Sequence, residues 1–248
     1  MKKISLLLTV FFVSTVKSFS QDNDRKGFAS INLGFSIPVG NFASNNFNSG
    51  EAGYATTGVF SEITFSHKIR PKFGITATSR GQANGVDVGA YAQDLANYFG
   101  SGNPSGNTSV SVESSVYSLS GIMAGLYGSF IIANKFSFEP RVLIGFSTAT
   151  LPAMTITTYE SKTKLTTFVS EHATSVAFSY IIGAGARYDL SKKICMMLNA
   201  DFYSTNAEWD NVQEIGIGHI TGDTEINYYD FGQKFRSFNI STGLGFRF

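Results

Sequence analysis

The stretch "FNISTGLGFRF", residues 238–248, decides the fold that this sequence predicts. Its apolar residues recur at even-numbered positions, namely Phe238, Ile240, Leu244, Phe246 and Phe248. The odd-numbered positions hold Asn, Ser, Gly and Arg, so the period of two predicts a β-strand with one apolar and one polar face. An apolar terminal residue is favoured where the last strand pairs with a neighbour and its alternate side chains face hydrocarbon.

The same alternation recurs along the chain and predicts eight strands. Their approximate bounds are 28–39, 54–68, 73–80, 115–132, 136–150, 174–190, 194–204 and 235–248. Three connections are the tight turns "IRPK", "ANK" and "SKK", whereas the others are long, at 40–53, 81–114, 151–173 and 205–234. Short and long connections alternate without exception, which is typical of an up-and-down meander with all its short turns at one end.

The composition of the two strand faces indicates whether the barrel is surrounded by water or by lipid. One face is apolar and unusually aromatic, and the other carries mostly Gly, Ser and Asn with a few single charges. A soluble sandwich or lipocalin-type barrel is the alternative, but its wet face would need many Lys, Glu and Asp residues. The pattern therefore predicts an all-β protein, an eight-stranded antiparallel up-and-down transmembrane β-barrel with short periplasmic turns and long extracellular loops.

The first twenty residues are typical of a cleaved signal peptide. Lys2 and Lys3 precede the apolar run "ISLLLTVFFV", and Ser18 and Ser20 suit a cut before Gln21. A transmembrane anchor is the alternative, but the run is shorter than the roughly 20 residues of a bilayer span. We expect residues 21–248 to form a single outer-membrane barrel domain.

The mature chain has a nearly balanced charge and one cysteine. Without the three Lys of the signal segment, 18 acidic side chains remain beside 16 basic ones, which argues against a nucleic-acid partner. Cys195 alone excludes an intramolecular disulfide. No cofactor and no metal site are expected, and no catalytic residue is assigned.

The terminal Phe and the runs "LYGSFIIANKFSFEPRVLIGFSTATLP" (126–152) and "IIGAGARYDLSKKICMMLNADFY" (181–203) carry a resemblance. They resemble the small outer-membrane β-barrel family of Bacteroidetes, which is similar to the eight-stranded OmpA and OmpX barrels, here without a periplasmic domain. The resemblance implies a Gram-negative cell-envelope protein surrounded by outer-membrane lipid and lipopolysaccharide. It also implies that the barrel assembly machinery recognises the terminal strand, through the residues Phe238, Ile240, Leu244, Phe246 and Phe248.

Isolated charges of both signs lie on the predicted inner face. They are Glu62, Arg80, Glu139, Arg141, Arg187, Asp201 and Arg247. An eight-stranded barrel is only wide enough for side chains to fill it, so we expect these charges to pair in a network that plugs the lumen. A gated narrow path, in which the same pairs exchange partners, is the alternative.

The long connections are acidic. Segment 205–233 has no Lys or Arg and contains Glu208, Asp210, Glu214, Asp223, Glu225 and Asp230. Segment 81–114 adds Asp87, Asp94 and Glu113. Such a surface suits divalent cations beside lipopolysaccharide or a basic partner, and a plain solvated surface is the alternative. Within these segments, residues 88–100 predict a short amphipathic helix, and residues 215–229 predict a hairpin above the membrane.

Three functions remain open at this point. The first is a non-enzymatic structural or interaction scaffold that displays acidic extracellular loops to an unknown ligand. The second is a narrow, porin-like channel for small solutes or ions. The third is a lipid-modifying enzyme that uses the segment "SEHATS", with Ser170, Glu171, His172 and Ser175, although adjacency in sequence does not establish catalytic geometry.

Overall fold

Strands dominate the computed structural model, which describes residues 26–47, 51–100 and 108–248. The predicted signal peptide lies outside these residues. Twelve strands are present among the described residues: β1 Gly27–Pro38, β2 Gly58–Arg70, β3 Phe73–Asn84, β4 Thr108–Ser114, β5 Tyr117–Gly128, β6 Phe130–Ala133, β7 Phe136–Thr150, β8 Met154–Glu160, β9 Thr163–Ser170, β10 Thr174–Asp189, β11 Ile194–Gly218 and β12 Thr224–Arg247. One α-helix, α1 (Val88–Gly100), and a 3-10 turn, Gly40–Phe42, complete the set.

Eight of the strands form a closed antiparallel ring. Its order is β1, β2, β3, β5, β7, β10, β11 and β12, and each member pairs with the next one. β12 pairs back with β1, from Phe28 opposite Arg247 to Pro38 opposite Ser237. The ring follows the order of the chain, so the predicted eight-stranded up-and-down barrel is confirmed.

The chain terminus is held as the sequence predicted. The Phe248 N–H group donates to the Gly27 carbonyl at 3.0 Å, and the Gly27 N–H group donates to the Phe248 carbonyl at 3.0 Å. A side chain at Gly34 would collide with the Ile240 carbonyl oxygen of the opposite strand. The first and last strands therefore make a close, fully paired seam.

Strand alternation separates an apolar outside from a polar inside. We call the outward apolar surface the lipid belt; its side chains include Leu33, Phe35, Ile122, Ile144, Phe146, Phe178, Leu198, Ile240 and Leu244, all exposed. The alternate positions point inward and are buried, and most of them are Ser, Thr, Asn or charged residues. This arrangement inverts that of a soluble barrel and matches membrane-spanning barrels.

The two ends of the barrel differ. β2 and β3 are joined by the tight turn at residues 71–72, and β10 and β11 by the turn at residues 190–193. At the opposite end β11 and β12 continue as a long hairpin, which pairs with β9, then β8, then β4. We call residues 206–235 the extended hairpin, and the extended hairpin together with β4, β8 and β9 the upper sheet.

The strands of the upper sheet lie in segments that the sequence predicted to be connections. The predicted connections 151–173 and 205–234 consist largely of strands, and the described part of 81–114 contains the end of β3, helix α1 (Val88–Gly100) and β4. Polar residues occur on both faces of the strands in these segments, so the contrast between faces that marks a membrane strand is weak there. The predicted hairpin at 215–229 is present, with its turn between Gly218 and Thr224.

Two predicted strands also have different bounds. The strand predicted over 115–132 divides into β5 and β6 at Ser129, whose N–H group donates to the Lys72 carbonyl at 2.9 Å. The strand predicted to begin at residue 54 begins at Gly58. Tyr54 itself has a φ of 49°, a left-handed conformation outside the extended region that strand residues adopt.

Helix α1 lies where the sequence predicted an amphipathic helix. The Asp87 carboxylate accepts from the Ala90 N–H group at 3.0 Å and so caps its first turn. Leu95 is buried, and the rings of Tyr54 and Tyr91 are 4.9 Å apart, which fixes the helix beside the connection after β1. Among the described residues no helix is long and apolar enough to cross a membrane.

Candidate functional site: a filled lumen beneath an acidic sheet

The middle of the barrel is crossed by a buried ion triad, Glu62–Arg141–Asp201. β2, β7 and β11 each supply one member of the triad, because each of these positions has the inward parity of its strand. Arg141 Nη2 lies 2.9 Å from Glu62 Oε1, and Arg141 Nε donates to Asp201 Oδ1 at 2.9 Å. All three side chains are at most 7% exposed, and among the described residues Arg141 is the cation that contacts both carboxylates directly.

A second ion cluster lies nearer the short-turn end. Arg187 Nη1 lies 2.9 Å from Glu139 Oε1, and Arg187 Nε lies 3.3 Å from Asp189. Asp189 also contacts Arg247 Nη1 at 2.7 Å. The sequence prediction did not include Asp189, because it lies at the end of β10 beside the turn "SKK"; its inward parity with Arg187 was the available signal.

Arg80 departs from the predicted pairing. Its guanidinium carbon lies 4.0 Å from the Tyr203 ring centroid and 4.7 Å from that of Phe60, while Nη2 donates to Gln82 Oε1 at 2.7 Å. Within the described residues it makes no direct ion pair. The structure therefore brings six of the seven predicted charges into two ion clusters and holds Arg80 between aromatic faces.

Above the charges, an aromatic plug fills the barrel. Phe42, from the 3-10 turn, packs edge-on against Tyr117 and Phe235, with ring centroids 5.2 Å and 4.9 Å away. All three residues are at most 4% exposed, and the Tyr117 hydroxyl donates to the Gly53 carbonyl at 3.0 Å. Sequence analysis missed this plug because Phe42 belongs to a predicted connection, outside any alternating run.

Little space remains between the two ion clusters. An internal cavity of about 10 Å³ lies there, lined by residues that include Phe28, Tyr127, Glu139 and Arg141. That volume is enough for about one water molecule. The two ion clusters and the aromatic plug together fill the lumen, as expected for an eight-stranded barrel.

The predicted acidic residues of segment 205–233 are all placed in the extended hairpin or its turn. Glu208, Asp210, Asp223, Glu225 and Asp230 are exposed, whereas Glu214 is half-buried. Burial raises the pKa of the Glu214 carboxyl above its ordinary value. Asp230 has a local role as well, because its carboxylate accepts from the Asn211 N–H group at 3.0 Å. The hairpin thus forms a negative surface in water.

The other predicted acids have mainly structural roles. Asp94 on α1 accepts from the Tyr54 hydroxyl at 2.7 Å, and burial together with this bond raises the pKa of Tyr54. Asp87 caps α1, and Glu113 lies on β4. Within the part of the chain that the structure describes, no three His, Cys, Asp or Glu side chains converge as metal ligands would.

The segment "SEHATS" forms the corner between β9 and β10. His172 Nδ1 contacts the Leu151 carbonyl oxygen at 3.0 Å, so the ring is fixed to backbone. Ser170 lies opposite Glu214 in the ladder of the upper sheet, and Ser175 lies opposite Ala149 in the barrel wall. The two serines are thus in separate ladders on either side of the corner.

The fold is similar to those of small outer-membrane proteins of known structure. The chain is similar to the attachment invasion locus protein Ail of Yersinia pestis, at 12% identity and a TM-score of 0.40 over 90% of this chain and 99% of that one. It is similar to Neisserial surface protein A, at 9% identity and a TM-score of 0.41 over 90% and 97% of the two chains.

A third similar structure is a major outer membrane protein from Thermus thermophilus. The identity is 10% and the TM-score 0.49, over 90% of this chain and 99% of that one. No protein-family model matches the sequence, and no curated protein does. Closure of the eight-stranded barrel is established by the strand pairing of this chain itself.

Proposed function

We propose that the protein is an integral outer-membrane scaffold that presents its acidic upper sheet to a basic partner outside the cell. The observation that carries this proposal is the contrast between a filled lumen and a large polar sheet beyond the lipid belt. The cavity between the two ion clusters has a volume of about 10 Å³, whereas five carboxylates of the extended hairpin are exposed to water. A negative surface of this kind attracts basic ligands and speeds their association.

The lipid belt indicates what surrounds the barrel. The lipid belt requires hydrocarbon, and the exposed Phe238, Ile240, Leu244 and Phe246 form part of it on the terminal strand. We therefore expect outer-membrane lipid and lipopolysaccharide around the belt. We also expect the barrel assembly machinery to recognise this strand, ending in Phe248, during insertion.

Binding of a polycationic probe tests the scaffold function. Protein in lipid nanodiscs is titrated with fluorescent octalysine, and with octaserine as the uncharged control. We expect octalysine to bind with an affinity that falls as salt is added, because surface charge attraction is screened. The variant with Glu208→Gln, Asp210→Asn, Asp223→Asn and Glu225→Gln is expected to lose most of this binding. Equal octalysine binding by the wild type and this variant contradicts the proposal.

Planar-bilayer conductance distinguishes the scaffold from a narrow channel. Refolded protein, checked by the faster gel migration of an unheated barrel, is expected to give no openings because side chains fill its lumen. Reproducible openings that change with Glu139→Gln or Arg141→Leu would instead support the channel. An enzyme acting on lipid would require turnover that is lost in His172→Ala, and we expect no such turnover because Ser170 and Ser175 lie in separate ladders on either side of the corner.

A further inference from the structure

A gap interrupts the sheet where the barrel wall meets the upper sheet. The ladder between β10 and β11 ends with Ser179 opposite Thr205. The ladder between β9 and β11 begins with Ser170 opposite Glu214. Residues 171–178 and 206–213 therefore face one another without pairing, between two closed ladders. We call this opening the wall gap.

The wall gap is a cavity with a strongly negative lining. Its volume is about 470 Å³, within the range of small-ligand sites. Ten residues line it: Glu171, His172, Ala173, Thr174, Glu208, Trp209, Asp210, Asn211, Val212 and Gln213. Three of these described residues are acidic and none is Lys or Arg. A cationic group is favoured in such a cavity, and a phosphate or carboxylate ligand is disfavoured.

The gap also offers hydrogen-bonding groups that a bare cation would not use. Residues 206–213 have ladder partners only on the β12 side, so alternate N–H and C=O groups of β11 face the gap. Trp209 is part of the lining, but its indole N–H group is itself buried and its ring packs against Phe231 and Phe235, so the donors that the gap offers are the backbone N–H groups of β11. These donors need acceptor oxygens, which amide groups supply.

A β-bulge shapes this lining. The register between β11 and β12 shifts between Trp209 and Val212, and Asn211 has a φ of 55°. The Asp230 carboxylate holds the bulge through the Asn211 N–H group at 3.0 Å. As a result Trp209 and Val212 are both buried, although three positions apart, while Glu208 and Asp210 remain exposed.

From these groups we infer that the wall gap binds a short peptide segment through one basic side chain. The ammonium or guanidinium group contacts Glu171, Glu208 and Asp210, and the adjoining peptide carbonyls accept from the unpaired donors of the gap. The inference rests on the proposed function, since it names where a basic partner engages the upper sheet. It differs in placing recognition at one cavity and not over the whole acidic surface.

Trp209 makes the test direct, because it is the only tryptophan in the chain. Nanodisc-embedded protein is titrated with the peptide Ac-Ala-Arg-Ala-Arg-Ala-amide while tryptophan emission is recorded. Spermidine supplies the charge without amide oxygens, and Ac-Ala-Gln-Ala-Gln-Ala-amide supplies the amides without charge. We expect saturable change in emission with the arginine peptide, at least tenfold weaker apparent affinity for spermidine, and no saturation with the glutamine peptide.

Two variants with equal charge loss locate the site. Glu208→Gln with Asp210→Asn changes the gap, and Asp223→Asn with Glu225→Gln changes the distant turn of the same hairpin. We expect the first pair to weaken arginine-peptide binding about tenfold and the second pair by less than twofold, since charge-assisted contacts act at short range. Both variants are checked for the heat-modifiable gel shift of a folded barrel.

The outcomes separate the inference from the proposed function. If octalysine binds but the two variant pairs weaken the arginine peptide equally, the wall gap is overturned and the acidic scaffold stands. If spermidine binds as tightly as the peptide, the assignment to a peptide ligand is overturned. If neither octalysine nor the arginine peptide binds, both the proposed function and this inference fail.

Discussion

β11 and β12 run through both the barrel wall and the extended hairpin, in different surroundings. In the lower part of β12, positions alternate strictly between buried and exposed, with Ser237 and Asn239 inward and Phe238 and Ile240 outward. In its upper part, residues 224–230 are exposed on both faces. The lower half of β12 separates lipid from the packed interior of the barrel, whereas the upper half is surrounded by water. Both halves pair with β11 in the same way, so the difference in their side-chain patterns comes from their surroundings.

The largest effect is expected from breaking the ion triad in the lower region. Arg141→Leu leaves Glu62 and Asp201 buried without the cation that contacts them directly, with only the attraction of nearby Arg80, and is expected to cost about 3–5 kcal/mol of unfolding free energy. Urea unfolding of the protein in lipid vesicles, followed by the gel shift, measures this loss. Arg236→Leu, at an exposed position, is the matched control and is expected to change stability by less than about 0.5 kcal/mol.

A compensating variant sharpens that prediction. Combining Arg141→Leu with Glu62→Gln and Asp201→Asn removes the two uncompensated charges as well, so most of the lost stability is expected to return. Failure of the triple variant to recover would mean that Arg141 acts through packing and not through its charge.

The next effect concerns the residue that joins the two regions. Phe42 comes from the connection after β1 and is fully buried between Tyr117 and Phe235. Phe42→Ala is expected to cost about 3 kcal/mol through lost burial and the cavity that remains. The same urea assay measures it, and Phe42→Leu is expected to lose clearly less. An unchanged unfolding midpoint in Phe42→Ala would show that the plug does not stabilise the barrel.

A smaller, pH-dependent effect is expected in the upper sheet. Burial raises the pKa of Glu214, so the folded sheet favours the protonated carboxyl. Its contribution to stability is present at low pH and is lost as the pH rises through the raised pKa. We expect amide exchange in β11 and β12 to become faster in the wild type than in Glu214→Gln above that pKa.

The control for this effect is Glu225→Gln, which removes an exposed carboxylate from the same hairpin. A pH-dependent difference of the same size in both variants would assign it to the net charge of the hairpin and not to the burial of Glu214.

The sequence predicted the barrel strands, where contact with lipid requires apolar residues at alternate positions. Alternation located all eight barrel strands and the seam of the terminal strand, because one-residue errors would place charges such as Asp201 in the lipid belt. It predicted the hairpin at 215–229 but not that residues 205–214 and 230–234 continue the barrel strands into it, since a sheet in water needs no apolar face. Phe42 was missed because it lies in a connection and its partner Phe235 is distant in sequence. Asp189 was missed because it lies at the end of β10 beside a turn, although its parity matched that of Arg187. The wall gap likewise depends on where two ladders end, which no local pattern encodes.

One paired substitution tests most directly whether the two regions lie in different solvents. Leu33 in the lipid belt is 64% exposed and Ile226 in the extended hairpin is 53% exposed, so burial within the protein hardly distinguishes them. In lipid vesicles Leu33→Arg is expected to cost about 2–4 kcal/mol of unfolding free energy, as an arginine facing hydrocarbon does. Ile226→Arg is expected to change it by less than about 0.5 kcal/mol. Equal costs at the two positions would contradict the account, because they would place both surfaces in the same medium.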